Sequence, residues 1–249
     1  MSPLSLQGKT ILVTGAARRV GRMLALACAR AGANVIIHHG HSAEQALEVQ
    51  KEIASLGHQS WLLACDLSKA DEIPLLISQA NEISPLYGLV NSAAIFEPLS
   101  FALTTLSDWE HHMTINLTAP FLLSQAFAKQ LYLSAKSGKS SGRIVNILDW
   151  RALHPDPDHF PYTISKAALA SMTKSLAVAL APQITVNGLA LGAVLPPANT
   201  SASDEIIKNI PARRWSSVKE VEDALIFLLA GPEYITGEII HVDGGRHLV

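Results

Sequence analysis

Short apolar segments alternate with longer amphipathic segments along almost the whole chain. The apolar segments show no polar–apolar alternation, which is typical of strands buried on both faces of a parallel sheet. The seven candidate strands are residues 10–13, 34–37, 61–64, 86–90, 143–148, 184–189 and 239–242. The six candidate helices between them are residues 20–31, 43–56, 70–83, 109–134, 163–180 and 218–230. Strand and helix alternating at this spacing predict an α/β fold, a doubly wound parallel sheet of seven strands flanked by helices.

Length and composition limit the classes of protein to consider. The 249 residues, 49% hydrophobic and 16% charged, predict one domain spanning 1–249 with a large core. A net charge of −2 gives no reason to expect nucleic acid or an anionic membrane as a partner. No basic-then-apolar leader precedes Gly8, so we expect a cytoplasmic protein. Cys28 and Cys65 lie in apolar segments, where we expect buried, reduced thiols. We expect no metal site.

Two proline-containing segments interrupt the pattern. Residues 151–161 lie between the fifth strand and the next helix, and residues 195–212 follow the sixth strand. Both follow the carboxyl ends of strands, where ligands bind in such folds. We expect the second segment, about 192–212, to cover a substrate; a long surface loop is the alternative.

The first candidate strand leads into a glycine-containing turn, Thr14-Gly15-Ala16-Ala17-Arg18-Arg19-Val20-Gly21. Gly15 permits a tight turn, and Gly21 lets the following helix approach the sheet. Backbone N–H groups at this helix start, around Arg18, Arg19 and Val20, would hold a pyrophosphate.

The end of the second strand indicates which dinucleotide binds. A carboxylate there would bond both ribose hydroxyls and repel a 2′-phosphate, yet no acidic residue occurs before Glu44. Candidate phosphate-binding groups are found instead, on Arg18, His38, His41 and Ser42. NADPH is therefore favoured over NADH. The alternative for the histidines is that they are exposed loop residues.

Polar residues also follow the third and fourth strands. Asp66 could accept a hydrogen bond from an adenine amino group. Asn91 could line the cofactor or, alternatively, hold strand ends together as a buried structural residue.

Tyr162 and Lys166 form a Tyr-x-x-x-Lys motif, 13 residues after Asp149. One helical turn places the hydroxyl and the ammonium on the same helix face. We expect the cation to lower the pKa of the tyrosine and make it a proton donor or acceptor near neutral pH.

Taken together, these motifs resemble the short-chain dehydrogenase/reductase family over essentially the whole chain, which implies a Rossmann-like fold and a homotetramer. In that family the tyrosine donates the proton, the lysine binds the nicotinamide ribose, and an asparagine matching Asn116 holds a water in a proton relay. The resemblance implies that Leu67, Ala93, Gly192 and Val194 also bind the cofactor. The Val242-Asp243-Gly244-Gly245 segment is a further match to the family.

Departures from the common family pattern resemble the pteridine reductase branch. Arg19 replaces a glycine of the turn, Asp149 replaces the catalytic serine, and Phe96 matches a ring that stacks on a pterin. Other departures do not match that branch: Ala94 stands where it has a substrate-contacting serine, and His41 where it has an arginine on the 2′-phosphate.

The aspartate itself favours a nitrogen heterocycle over a ketone. An ionised carboxylate cannot donate to a developing oxyanion, and it raises the pKa of the neighbouring tyrosine. In C=N reduction it can accept from ring amide or amino groups, while Arg19 bonds the ring and Phe96 packs on its face. The alternatives are that Asp149 turns away to pair with Arg151 or a histidine, and that Phe96 is ordinary packing.

Three functions therefore compete. The first is an NADPH-dependent pteridine reductase acting on dihydropterin or dihydrofolate-like rings. The second is a carbonyl or 3-oxoacyl-thioester reductase, and the third is a catalytically idle protein that senses NADP(H). Tyr162, Lys166 and Asn116 favour an enzyme, because a pure binding protein needs no proton donor.

Overall fold

The computed structural model describes residues 4–134, 141–155, 157–195 and 204–249. Seven strands are formed: β1 Thr10–Val13, β2 Asn34–His39, β3 Ser60–Ala64, β4 Gly88–Asn91, β5 Gly142–Asp149, β6 Ile184–Leu191 and β7 Ile239–Val242. They form one sheet in the order β3-β2-β1-β4-β5-β6-β7, and every neighbouring pair is parallel. The predicted seven-stranded, doubly wound sheet is confirmed.

Burial along the strands explains their apolar composition. Every residue of β1, β4 and β6 is buried, because helices cover both faces of the central strands. At the edges, the residues of β7 are half-buried and β3 is half-buried up to its exposed last residue. β5 and β6 are the longest strands and pair over eight positions, from Gly142 beside Ile184 to Asp149 beside Leu191.

Eight α-helices are described: α1 Arg19–Arg30, α2 Ala43–Ser55, α3 Ile73–Ile83, α4 Leu106–Met113, α5 Ala119–Ser134, α6 Phe160–Leu180, α7 Asp204–Lys208 and α8 Val218–Ala230. Side chains of α1, α2 and α8 pack in one core cluster, and those of α3 and α5 pack in a second, with the strands contributing to both. Among the helices described, none combines the length and the apolar character needed to cross a membrane.

The predicted helix 109–134 is more complex than its sequence pattern indicated. It starts earlier, at Leu106, because the Thr105 side chain and Asp108 form a reciprocal capping box. A π-helical turn, Thr114–Thr118, then separates α4 from α5. Such turns occur often at functional sites, and this one contains Asn116.

The two interrupting segments contain more helix than we expected. Trp150–Ala152 form a 3-10 turn, and α6 begins at Phe160, so Pro161 lies inside the first helical turn, where proline is tolerated. In the segment 192–212, α7 occupies Asp204–Lys208, while residues 196–203 lie outside the described part of the chain.

Candidate active site

The carboxyl edge of the sheet opens between β1 and β4, where the strand order reverses direction. Thr14 links the two loops there: its Oγ1 accepts hydrogen bonds from the backbone N–H groups of Ser92 (2.9 Å) and Ala93 (3.0 Å). A crevice at such a switch point is where open α/β sheets bind ligands.

Glycine is required at two positions of the turn after β1. Gly15 has φ of 63°, and a Cβ there would lie 2.9 Å from Ala93 Cα. A Cβ on Gly21 would overlap the carbonyl oxygen of Gly15. Arg19 also has a positive φ, 48°, which costs a non-glycine residue about 1–2 kcal/mol. Backbone strain of this kind is common in ligand-binding turns.

A cavity of about 680 Å³ occupies this edge of the sheet. Most of the predicted site residues line it: Gly15, Arg18, Arg19, Val20, Gly21, His38, His41, Asp66, Leu67, Ala93, Phe96, Asp149, Tyr162 and Lys166. The predicted residues outside its wall are Ser42, Asn91, Asn116, Gly192 and Val194. One continuous cavity therefore joins the glycine turn to the tyrosine.

His38 was predicted to offer a positive or donor group to a phosphate, but both of its ring nitrogens are engaged within the protein. Its ring is buried, Nδ1 accepts a hydrogen bond from Gly15 N–H (3.1 Å), and Nε2 lies 3.0 Å from the carbonyl oxygen of Cys65. Because Nδ1 accepts, Nε2 carries the proton and donates. Burial lowers the pKa of His38 to about 4. The neutral imidazole joins the glycine turn to the end of β3.

The buried His38 should make the protein sensitive to mild acid. The unfolded histidine takes up a proton near pH 6.5, but the folded one does so only near pH 4. The contribution of His38 to the free energy of unfolding therefore decreases as the pH is lowered from 6.5 to 4. At pH 5 we expect a loss of about 2 kcal/mol from this group. Urea unfolding at pH 7 and pH 5 should show a smaller acid-dependent loss for His38→Gln than for wild type. The half-buried His58, substituted in the same way, is the control; equal losses in wild type and His38→Gln would contradict the prediction.

The remaining groups near β2 and β3 are more accessible. Arg18 Nη2 donates to Gln45 Oε1 (2.9 Å), so its guanidinium already lies over the start of α2. Asp66 Oδ1 accepts from the N–H and the hydroxyl of Ser68 (3.0 and 2.7 Å). Ser42 is the residue before α2, off the cavity wall.

Asn91 has the structural role that the sequence left as an alternative, and its predicted cofactor contact is not supported. The side chain is buried, and Nδ2 donates to Asn146 Oδ1 (2.8 Å) on β5. Asn146 in turn donates to Thr173 Oγ1 (2.9 Å) on α6. This chain of amides connects β4 to the helix that carries the tyrosine.

Asp149 and Tyr162 are in direct contact at the centre of the site. The tyrosine hydroxyl donates to Asp149 Oδ2 at 3.1 Å. The other carboxylate oxygen, Oδ1, accepts from the Arg151 N–H at 2.9 Å and lies 3.5 Å from Arg151 Nη1. The carboxylate therefore both faces the tyrosine and pairs with Arg151, which the sequence had presented as alternatives.

The pKa of Tyr162 is shifted in the direction opposite to the first expectation. Burial, with Asp149 beside it, raises this pKa well above its ordinary value, so the expected lowered pKa is wrong. Lys166 Nζ donates to the Ile147 carbonyl (2.8 Å) and lies 5.7 Å from the centre of the tyrosine ring. Burial lowers the pKa of Lys166 itself to about 8. The hydroxyl is thus held protonated, as a proton donor requires.

Asn116 lies behind this pair rather than on the cavity wall. Its amide exchanges hydrogen bonds with the backbone of Ile95 (2.9 and 3.1 Å) and donates to Ser165 Oγ (3.0 Å). Ser165 Oγ donates to the carbonyl of Tyr162 (2.7 Å). Asn116 therefore connects the loop after β4 to the second turn of α6.

Phe96 lies beside the tyrosine and is 51% exposed. Its ring meets Tyr162 edge-on, with centroids 4.6 Å apart, and stacks on the His159 ring at 3.8 Å. His159, whose φ is 57° and whose ring lies over Phe96, was not predicted, and neither was His111 of α4 on the cavity wall. No local sequence signal marks either residue, since both positions depend on the tertiary fold.

The assembled groups suit transfer of a proton to a bound acceptor. A protonated phenol, a carboxylate and an ammonium converge at one end of the cavity, and the glycine turn lies at the other. A ligand long enough to reach both ends would be held by backbone N–H groups at the turn and would meet Tyr162 at its other end.

Comparisons with known proteins place this arrangement among reductases. Residues 15–247 match the family described as Enoyl-(Acyl carrier protein) reductase. The 3-oxoacyl-[acyl-carrier-protein] reductase of Synechocystis sp. is 33% identical over 246 residues, covering 97% of this chain and 98% of the relative. The corresponding FabG reductase of Aquifex aeolicus is 36% identical over 250 residues, with 97% and 98% covered. Among solved structures, FolM Alternative dihydrofolate reductase 1 from Brucella canis, complexed with NADP, is 30% identical, has a TM-score of 0.90 and matches 98% of this chain and 96% of its own.

Proposed function

The chain belongs to the short-chain dehydrogenase/reductase family, and we propose that it reduces a C=N bond in a pterin-type ring with NADPH. The observation that carries this proposal is the 3.1 Å hydrogen bond from the Tyr162 hydroxyl to Asp149 Oδ2. A carboxylate at this position disfavours a developing oxyanion and favours a substrate that presents N–H groups. The Brucella canis FolM structure, described as a dihydrofolate reductase, supports the same substrate class.

The residues around the cavity fit NADP(H). The start of α1 lies on the cavity wall at Arg19, Val20 and Gly21, where backbone N–H groups at a helix N-terminus would bind a pyrophosphate. Arg18 and His41 would hold the 2′-phosphate, and Asp66 would hold the adenine. When bound, NADPH supplies the hydride.

The proton would come from Tyr162. Its raised pKa keeps the hydroxyl protonated, and Asp149 accepts its hydrogen bond until a ring nitrogen takes the proton. Lys166 would bind the nicotinamide ribose, and Asn116, whose side chain is engaged with Ile95 and Ser165, would act by positioning the start of α6.

The flat walls of the cavity would select a ring. Phe96 and its stacked partner His159 form an aromatic surface beside Tyr162. Arg19, on the cavity wall, would donate to an oxo group or ring nitrogen of the substrate. Asp149 would then accept from an amino or amide group of the same ring.

NADPH oxidation measured separately with dihydrobiopterin, dihydrofolate and an acetoacetyl thioester tests the proposal. We expect turnover of at least one dihydropterin substrate and little turnover of the thioester. The second candidate, 3-oxoacyl-thioester reduction, is favoured by the names of the Synechocystis and Aquifex relatives. Turnover of the thioester alone would establish it and refute the pterin proposal. NADPH binding without turnover of any substrate would favour an NADP(H)-sensing protein.

Arg18 should determine the preference for NADPH over NADH. Arg18→Met removes the guanidinium that would pair with the 2′-phosphate and keeps an apolar stem of similar length. We expect the Kd for NADPH to rise about tenfold to a hundredfold, while the Kd for NADH changes little. Fluorescence titration with both cofactors measures this, and Arg30→Met, at the far end of α1, is the control. Equal weakening for both cofactors would contradict the assignment.

We also propose a homotetramer in the cytoplasm. Exposed apolar side chains on α5 and α6, among them Phe121, Tyr132, Leu133 and Val178, offer a face for subunit contact. Both cysteines are buried and free, as suits a reducing compartment. Light scattering would measure the assembly, and a monomer at micromolar concentration would refute it.

A further inference from the structure

Arg151 follows Asp149 by two residues and has no established part in the site. We propose that Arg151 is a positioning residue, which holds the Asp149 carboxylate with one oxygen toward Tyr162 and balances its charge. The proposal deepens the proposed function and rests on it for the roles of Asp149 and Tyr162.

The contacts of Asp149 divide between its two oxygens. Oδ2 accepts from the Tyr162 hydroxyl, while Oδ1 caps the 3-10 turn by accepting from Arg151 N–H and lies 3.5 Å from the guanidinium. Side chains 149 and 151 are only 18% and 15% exposed, so water screens the pair weakly. Every substitution of Arg151 other than proline keeps the N–H donor. Such variants therefore test the guanidinium alone.

Aromatic rings hold the guanidinium in place. Its central carbon lies 5.6 Å from the Phe96 ring centre and 4.8 Å from that of Trp150. The other cation on Trp150 is Arg246, at 4.0 Å, from the C-terminal 3-10 turn Arg246–Leu248. Cations over aromatic faces are stabilised in this geometry. The stack Arg246–Trp150–Arg151 thus extends from the end of the chain to the acid–base pair.

The charges around Tyr162 show why a second cation matters. Asp149 raises the pKa of the phenol, Arg151 lowers it, and Lys166 bonds the Ile147 carbonyl. His159 contributes its ring to Phe96. Without Arg151, no neighbouring guanidinium would offset the effect of Asp149 on the pKa of Tyr162, and the phenol would become a weaker acid.

The experiment compares Arg151→Met, Arg151→Lys and Arg246→Met with wild type. We expect Arg151→Met to lower kcat about tenfold to a hundredfold, with KM for NADPH changed less than about twofold. NADPH deuterated at the transferred position should give a larger isotope effect, because the chemical step becomes slower. Arg151→Lys should recover part of kcat, since it restores the charge without the planar fork. Arg246→Met should have a smaller effect that largely disappears when Arg151 is already methionine.

Control measurements separate this role from a merely structural one. Arg30→Met removes a distant ion pair with Glu222 and should leave kcat and the isotope effect unchanged. In a crystal structure of Arg151→Met, the Asp149 carboxylate should turn so that Oδ2 no longer faces Tyr162. An unchanged carboxylate together with unchanged kcat would overturn the proposal. Turnover of a thioester but no pterin would instead refute the substrate class and leave this comparison valid, because the kinetics can be measured with that substrate.

Discussion

Tyr162→Phe should abolish almost all turnover while the protein still folds and binds NADPH. The substitution removes only the hydroxyl, which is the proton donor and the partner of Asp149 Oδ2. Loss of a positioned general acid costs about a hundredfold to ten-thousandfold in rate, so we expect kcat to fall within that range. Because the ring is retained in its edge contact with Phe96, the Kd for NADPH should change less than about twofold.

Stopped-flow and steady-state kinetics with NADPH titration would measure both quantities. Tyr234→Phe is the matched control, because Tyr234 is fully exposed and away from the cavity. Retained turnover in Tyr162→Phe would show that another group donates the proton. A large loss of NADPH affinity would show that the hydroxyl mainly binds cofactor.

Asp149→Ser should shift the substrate preference from a dihydropterin toward an acetoacetyl thioester. The serine hydroxyl can donate to an oxyanion, whereas the carboxylate accepts from N–H groups. We expect kcat/KM for a dihydropterin to fall about a hundredfold or more, and that for an acetoacetyl thioester to rise. Removing the charge also removes one cause of the raised pKa of Tyr162.

A second substitution of Asp149 identifies which property of the aspartate matters, and a distant aspartate serves as the control. Asp149→Ala removes the charge without adding a hydrogen-bond donor, so it should resemble Asp149→Ser toward pterins without gaining thioester activity. Asp223→Ser, on an exposed residue of α8 paired with Lys219, should behave as wild type. Unchanged activity of Asp149→Ser toward both substrates would mean that the carboxylate takes no part.

The fold could be predicted because its signals are local and repeated. Each buried strand is a short apolar segment, and the helical pattern between strands leaves few topologies other than a doubly wound parallel sheet. The helix ends were less predictable. The start of α4 depends on the Thr105–Asp108 capping box, and the π turn at Asn116 has no periodic signature.

Within the site, most of the predicted residues line one cavity, but the sequence did not indicate how they share hydrogen bonds. His38 and Asn91 occupy predicted positions, yet their side chains turn toward Gly15 and Asn146. The pKa of Tyr162 depends on a balance between burial and two neighbouring charges, which residue spacing alone cannot give. His159 was missed because its contact with Phe96 joins two loops that are far apart in sequence.

The eight-position pairing of β5 with β6 should make the backbone of these two strands slow to open. Backbone amides within 144–148 and 186–190 should exchange with deuterated solvent only through global unfolding, because these are the longest buried strands. Asp149 ends that slowly exchanging unit, whereas Phe96 and His159 lie outside the strands and helices, where we expect opening at a lower free energy. Changes in those loops can therefore alter which molecules enter without lowering the midpoint of global unfolding.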